Sequence, residues 1–132
     1  MTVVVDASAL VAMLTHELEA DALAETLIAH EDRLFCGIGA WEAVRAVARK
    51  RSTTVTEAQA AVRDTLTQFG VRLVPIGDAE WRLAIDAHAR YGKGTGHPAQ
   101  LNMGDCFAYA CAKANDAVLL YKGDDFAQTD LA

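Results

Sequence analysis

The sequence predicts an α/β fold with a largely parallel sheet covered by helices on both faces, and three observations carry that prediction. Short apolar, β-branched runs recur along the chain, beginning with Thr2 to Val5. Stretches with apolar residues three and four apart separate these runs, the spacing of a helix with one buried face. Capping residues and glycines fall at the junctions between them. Strands that alternate with helices are joined by right-handed crossovers, which lay the helices on both sides of the sheet.

The elements follow in order. Thr2 to Val5 reads as a buried strand, and Asp6 and Ser8 offer N-cap oxygens to a helix running to about Leu14. Leu18 to Ala29 has helical spacing at Leu18, Ala22, Leu23, Leu27 and Ile28, and Arg33 to Cys36 is a second brief strand. Gly37 and Gly39 break that strand, and a helix from Trp41 to Arg51 follows, with basic residues at its C-terminal end where cations suit the helix dipole. Thr54 and Glu57 form a capping-box pattern that opens a helix to about Phe69, and Gly70 ends it. Val71 to Ile76 reads as a strand, and Asp78 caps a helix that stops near Tyr91 and Gly92. The Gly-rich stretch GKGTGHPAQLNMG is the one long loop, of a length usually functional or mobile. Asn102 caps a last helix whose apolar face includes Phe107, Ala108, Cys111 and Ala114, and Ala117 to Tyr121 is a closing strand before Lys122-Gly123-Asp124-Asp125.

Bulk properties narrow the class of protein. With 132 residues, about half of them hydrophobic, one domain spanning 1–132 is expected, because a second core would lack material. No apolar run reaches the ~18 residues of a membrane span and no leader pattern precedes the first strand, so a cytoplasmic protein without membrane contact is expected. Cys36, Cys106 and Cys111 form no CxxC pair and lie within apolar patterns, as small buried hydrophobes of a reducing compartment do. A formal charge of −6 argues against a broadly basic nucleic-acid surface, although charge can still be local.

Acidic residues carry the chemistry. Asp6 ends the first strand, Glu42 lies near the start of its helix, Asp105 falls in the first turn of another, and Asp124 and Asp125 follow the last strand. Ligands of an open parallel sheet bind beyond the carboxyl ends of its strands, so these acids can share one edge. Carboxylates gathered there repel unless a cation compensates. The candidate ligands are all oxygens, which favours Mg²⁺ or Mn²⁺ over Zn²⁺ and suits phosphodiester hydrolysis. Taken singly, each acid is also ordinary cap or turn composition. A receiver-like phosphoacceptor module fits less well, since Asp6 is followed by Ala7 and no central strand ends in an acid.

Over essentially its full length the chain resembles the PIN-domain ribonucleases, and among them the VapC toxins of VapBC toxin-antitoxin pairs. VVVDASALVAML, the WEAVRA helix, GKGTGHPAQLNMGDCFAYACAK and LLYKGDDFAQTDLA carry the likeness. It implies a PIN-like three-layer sandwich and a Mg²⁺-dependent endoribonuclease that cuts RNA, tRNA or rRNA being the expected target. It further implies silencing by a cognate VapB-type antitoxin and assembly as a homodimer. The family's acids map onto Asp6, Glu42 and Asp105 as metal and catalytic residues, with the fourth acid being Asp124 or Asp125. Ser8 matches a hydroxyl residue that orients Asp6 or a metal-bound water. A non-catalytic member that acts only by binding RNA or its partner is the alternative.

Among basic residues, Arg45, Arg49, Lys50 and Arg51 along the Glu42 helix, and Lys93 and His97 in the long loop, are candidate RNA contacts. His16, His30 and His88 are expected at the surface or in packing. Trp41 and Trp81 fall on apolar faces and are expected in the core or in a dimer contact.

Overall fold

The computed structural model describes residues 1–132. Four strands, β1 (Thr2–Val5), β2 (Asp32–Cys36), β3 (Arg72–Val74) and β4 (Val118–Leu120), form one sheet in the order β3-β2-β1-β4. Every pairing is parallel. The helices are α1 (Ala7–Leu14), α2 (Ala20–Ile28), α3 (Gly37–Arg51), α4 (Val55–Gln68), α5 (Asp78–Tyr91) and α6 (Met103–Ala114). None is long and apolar enough to cross a membrane.

Alternation along the strands builds two cores. Val3, Val5 and Phe35 face one way and pack with Leu10, Leu27, Val47 and Val62 of α1 to α4. Val4, Leu34 and Cys36 face the other way, onto Ala84 and Ala87 of α5 and Tyr109, Ala110 and Cys111 of α6. The expected three layers are therefore present, with β1 flanked by a partner on each edge and buried on both faces. All three cysteines are buried and free.

Local chemistry explains several boundaries. Thr54 caps α4 by accepting from the Glu57 amide at 3.1 Å, while the Glu57 carboxylate accepts from the Thr54 hydroxyl at 2.9 Å. Thr54→Ala is expected to cost about 1 kcal/mol in a urea unfolding titration, the usual value of a lost cap. An unchanged midpoint would show that α4 is held by packing alone.

The structure corrects some expectations. Helix α3 starts at Gly37 rather than Trp41, because the Cys36 sulfur accepts from the Gly39 amide at 3.4 Å and caps it. A side chain at Gly39 would press on the Phe35 ring, so the close passage of helix over strand needs glycine there. Helix α2 starts at Ala20, leaving Leu18 outside it and exposed, and Ile28 at its last position is exposed as well. Only Arg72–Val74 of the expected third strand pairs, as β2 offers partners to those residues alone. Gly77, not Asp78, occupies the cap position of α5, its amide donating to Glu80 at 2.7 Å. Trp41 and Trp81 are at least half exposed and lie outside the cores, so of the two expected placements the core is excluded.

The long loop is tied down. The Lys93 amide donates to the Leu101 carbonyl and the Leu101 amide to the Tyr91 carbonyl, a bridge joins Gly92 to Leu101, and Ala99 and Leu101 are buried. The imidazole of His97 accepts from the Ala99 amide at 3.1 Å and stands edge-on to Tyr91. At the C-terminus, Asp130 accepts from the Tyr91 and Tyr109 hydroxyls and pairs with Lys113, fastening the last residues to α5 and α6.

Candidate active site

Beyond the carboxyl ends of β1 and β4 lies a cavity of about 470 Å³. Asp6, Ser8, Glu42, Asp105 and Asp125 line it, together with Arg45, Arg49, Lys50 and Lys122. Each acid arrives by a different local device.

Asp6 follows β1, and its amide continues the ladder to the Leu120 carbonyl at 2.8 Å. Its carboxylate caps α1, accepting from the Ser8 amide at 3.0 Å and the Ser8 hydroxyl at 2.5 Å. Asp105 is the third residue of α6 and closes a capping box with Asn102: the Asn102 side-chain oxygen accepts from the Asp105 amide at 2.8 Å, and the Asp105 carboxylate accepts from the Asn102 amide at 3.1 Å. Both acids are buried, at 5% and 7% exposure, which is unusual for carboxylates without a cationic partner.

Glu42 reaches the cavity from the second turn of α3 and lays its carboxylate against the backbone of Gly104 on α6. A methyl group at Gly104 would overlap both carboxylate oxygens, so α6 is bare at that point where α3 presents its acid. Of the adjacent acids after β4, both exposed, Asp125 lines the cavity and Asp124 does not. Gly123, with φ of +96°, turns the chain just before the two acids, and Phe126 just after them is buried.

Electrostatics mark the cluster. Burial pushes the Asp105 carboxyl up to about 7, opposed by its bond from Asn102 and helped by the negative charges of Asp6, Asp125 and Glu42. Burial also raises Asp6, against the Ser8 hydrogen bonds, and raises Glu42, with the Asp6 charge adding to the effect. No three of these acids stand close enough, as placed, to chelate one ion together. None of them forms an ion pair.

A basic rim borders the acidic floor. Arg45, whose guanidinium lies 4.9 Å from the Trp41 ring centre, Arg49 and Lys50 come from α3. Arg51, by contrast, donates to the Leu14 carbonyl at 2.6 Å and fastens α3 to α1. Lys93 lines a neighbouring apolar cavity with Trp81, Ile85 and Met103, on the other side of Asn102, and not the acidic one. His97 lines neither. Two contributors escape sequence reasoning: Glu17, which follows α1, and Lys122, which follows β4. The position of Lys122 directly behind a strand end is the one sequence signal that points to it.

Taken together, a parallel sheet, helices on both faces and an acid-lined cavity at the strand ends define the class. The PIN domain family pattern matches residues 3–131, and the chain belongs to that family. Its relatives narrow the class further. A VapC ribonuclease of Rhizobium meliloti (strain 1021) is 40% identical, the alignment covering 96% of this chain and 97% of that protein. Ribonuclease VapC42 of Mycobacterium tuberculosis (strain ATCC 25618 / H37Rv) is 34% identical over 97% of this chain and 95% of its own. Ribonuclease VapC30 of Mycobacterium tuberculosis (strain CDC 1551 / Oshkosh) is 36% identical over 98% and 95% respectively.

Proposed function

We propose that this chain is the toxin of a type II toxin-antitoxin pair and hydrolyses RNA phosphodiester bonds as a Mg²⁺-dependent endoribonuclease. The observation that carries this reading is the cavity in which Asp6, Glu42, Asp105 and Asp125 meet without ion-pair partners beneath a rim of Arg45, Arg49, Lys50 and Lys122. Likeness to VapC ribonucleases over nearly the whole chain supports the same substrate.

The donor set fits a hard divalent cation, Mg²⁺ or Mn²⁺, held through one or two carboxylates with water filling the other positions. Asp6 and Asp105, buried and uncompensated, are the proposed ligands, with Glu42 beside them and Asp125 the fourth acid. When bound, such an ion polarises the scissile phosphate and lowers the pKa of a coordinated water. The chain's own residues do the rest. Ser8 fixes one Asp6 oxygen and leaves the other toward the cavity. The burial and neighbouring negative charges that raise the Asp105 carboxyl are offset when a cation sits beside it, so the metal-free site favours taking one up. The rim cations take flanking phosphates and position the strand.

A VapB-type antitoxin is the proposed partner, placing a basic side chain, arginine being best suited, among the acids. The target is proposed to be tRNA or rRNA. A homodimer is proposed too, consistent with an apolar cavity between α3 and α4 lined by Trp41, Val55 and Leu73, all exposed in the single chain.

Incubation of the purified protein with total RNA tests the activity directly. Defined 5′ ends should accumulate with Mg²⁺ and vanish in excess EDTA. Cleavage that persists in EDTA would refute the metal dependence, and RNA bound but uncut in Mg²⁺ would leave a binding protein only.

A further inference from the structure

Lysines inside an acid-lined cavity pose an electrostatic problem. Their long, flexible chains fall readily onto unpaired carboxylates, and a cation within a few ångströms would occupy the charge that a metal ion needs. Lys50 and Lys122 share the cavity with four such acids, yet neither pairs with any of them.

Both are taken by one residue. Glu17 Oε2 accepts from Lys50 Nζ at 2.9 Å, and its other oxygen, Oε1, accepts from Lys122 Nζ. Glu19 stands 3.7 Å from the same Lys122 amine. The three partners come from the end of α1, the end of α3 and the turn after β4, so the clamp joins elements 33 and 105 residues apart. Its two lysines hold the Glu17 carboxyl down to about 2, and it is charged at any pH the protein meets.

The backbone under Glu17 is specified. Helix α1 ends in a Schellman turn: the Glu17 amide donates to Ala12 and the His16 amide to Met13, with His16 left-handed at φ of +56°. That turn aims residue 17 back over the cavity. On the other side, the Lys122 amide donates to the Ser8 hydroxyl at 3.0 Å, and that hydroxyl in turn donates to Asp6. The Lys122 backbone is thus two hydrogen bonds from an acid of the floor, while its ammonium is turned to Glu17 and Glu19.

We propose that Glu17 is a positioning residue that sorts the cavity, holding Lys50 and Lys122 at the rim as a fixed pair for RNA phosphates and keeping both ammonium groups off the acids that take the divalent cation. The proposal rests on the metal-dependent nuclease reading and adds a separate role within it. Without Glu17 the lysines move onto Asp6, Asp125 or Glu42, compete with the metal and leave the phosphate site.

Mn²⁺ binding by calorimetry, and RNA affinity in EDTA across a salt series, measure the two halves apart from cleavage. Glu17→Gln is expected to weaken Mn²⁺ binding about tenfold, the least effect of a cation beside a carboxylate. RNA affinity should fall severalfold in the same variant. Adding Lys50→Met and Lys122→Met to Glu17→Gln should restore Mn²⁺ affinity and leave RNA binding weak, a rescue that a merely structural Glu17 would not show. If Glu17→Gln fails to fold, the Lys50→Met/Lys122→Met protein decides. Its Mn²⁺ affinity should be at least that of the wild type, and the slope of log affinity against log salt should fall by about 1.4 for single-stranded RNA; an unchanged slope overturns the proposal. Wild-type protein that binds both Mn²⁺ and RNA, with Glu17→Gln indistinguishable from it, overturns the clamp alone. Wild-type protein that binds neither overturns the nuclease reading and the clamp with it.

Discussion

Asp105→Asn is expected to abolish RNA cleavage and, at the same time, to stabilise the metal-free protein above neutral pH. The buried carboxyl keeps its proton to about pH 7 in the folded chain, whereas an unperturbed aspartate ionises near 4. Between those values the native state binds more protons than the unfolded one, so stability is full below about pH 4 and is lost as pH rises through 7. Asp6 and Glu42, raised by the same burial, act in the same direction. The asparagine carries no charge and its side-chain oxygen still accepts from the Asn102 amide, which preserves the capping box of α6. At pH 8 in EDTA it should gain up to about 4 kcal/mol over the wild type, since the carboxyl lies about three pKa units above its ordinary value and each unit is worth about 1.4 kcal/mol. Urea titrations at pH 5 and pH 8 measure the gain, and saturating Mg²⁺ should narrow it by stabilising only the wild type. Wild-type stability that is flat from pH 4 to 8 would show that the acids are not electrostatically strained.

Gly104→Ala should separate activity from stability in the opposite manner. Alanine in the first turn of α6 favours the helix by about 1 kcal/mol on propensity alone. Its methyl group, however, would occupy the space of the Glu42 carboxylate. That carboxylate ends a flexible side chain, so it swings aside and the fold survives. Displacement of an acid by about 1 Å costs on the order of 100-fold in rate for a well-aligned site. The expected result is a melting temperature equal to or above the wild type with cleavage reduced about 100-fold. Full activity in a folded Gly104→Ala protein would remove Glu42 from the reacting centre.

The two substitutions also show which parts of the site were legible in the chain. Asp6 and Asp105 announce themselves because one caps α1 and the other closes the capping box of α6, junctions where residue type and local geometry are tied. Glu42 is readable as an acid on a helix, but its approach depends on Gly104, a contact between α3 and α6 that no spacing encodes. Asp124 and Asp125 are equivalent as turn residues, and only the folded chain brings one of them, Asp125, to the cavity. Lys93 had the right charge and loop for an RNA contact, yet the Gly92–Leu101 bridge carries it to the apolar side of Asn102.

By itself the sequence determined the layer order, the parallel crossovers and a set of candidate acids, because periodicity, capping and junction chemistry act over a few residues. Tertiary structure alone decided the rest: which of two adjacent acids enters the cavity, which basic residues border it, and that Glu17 gathers lysines from two distant segments. Those outcomes depend on distances between elements far apart in the chain, which form only when the two cores pack against the sheet.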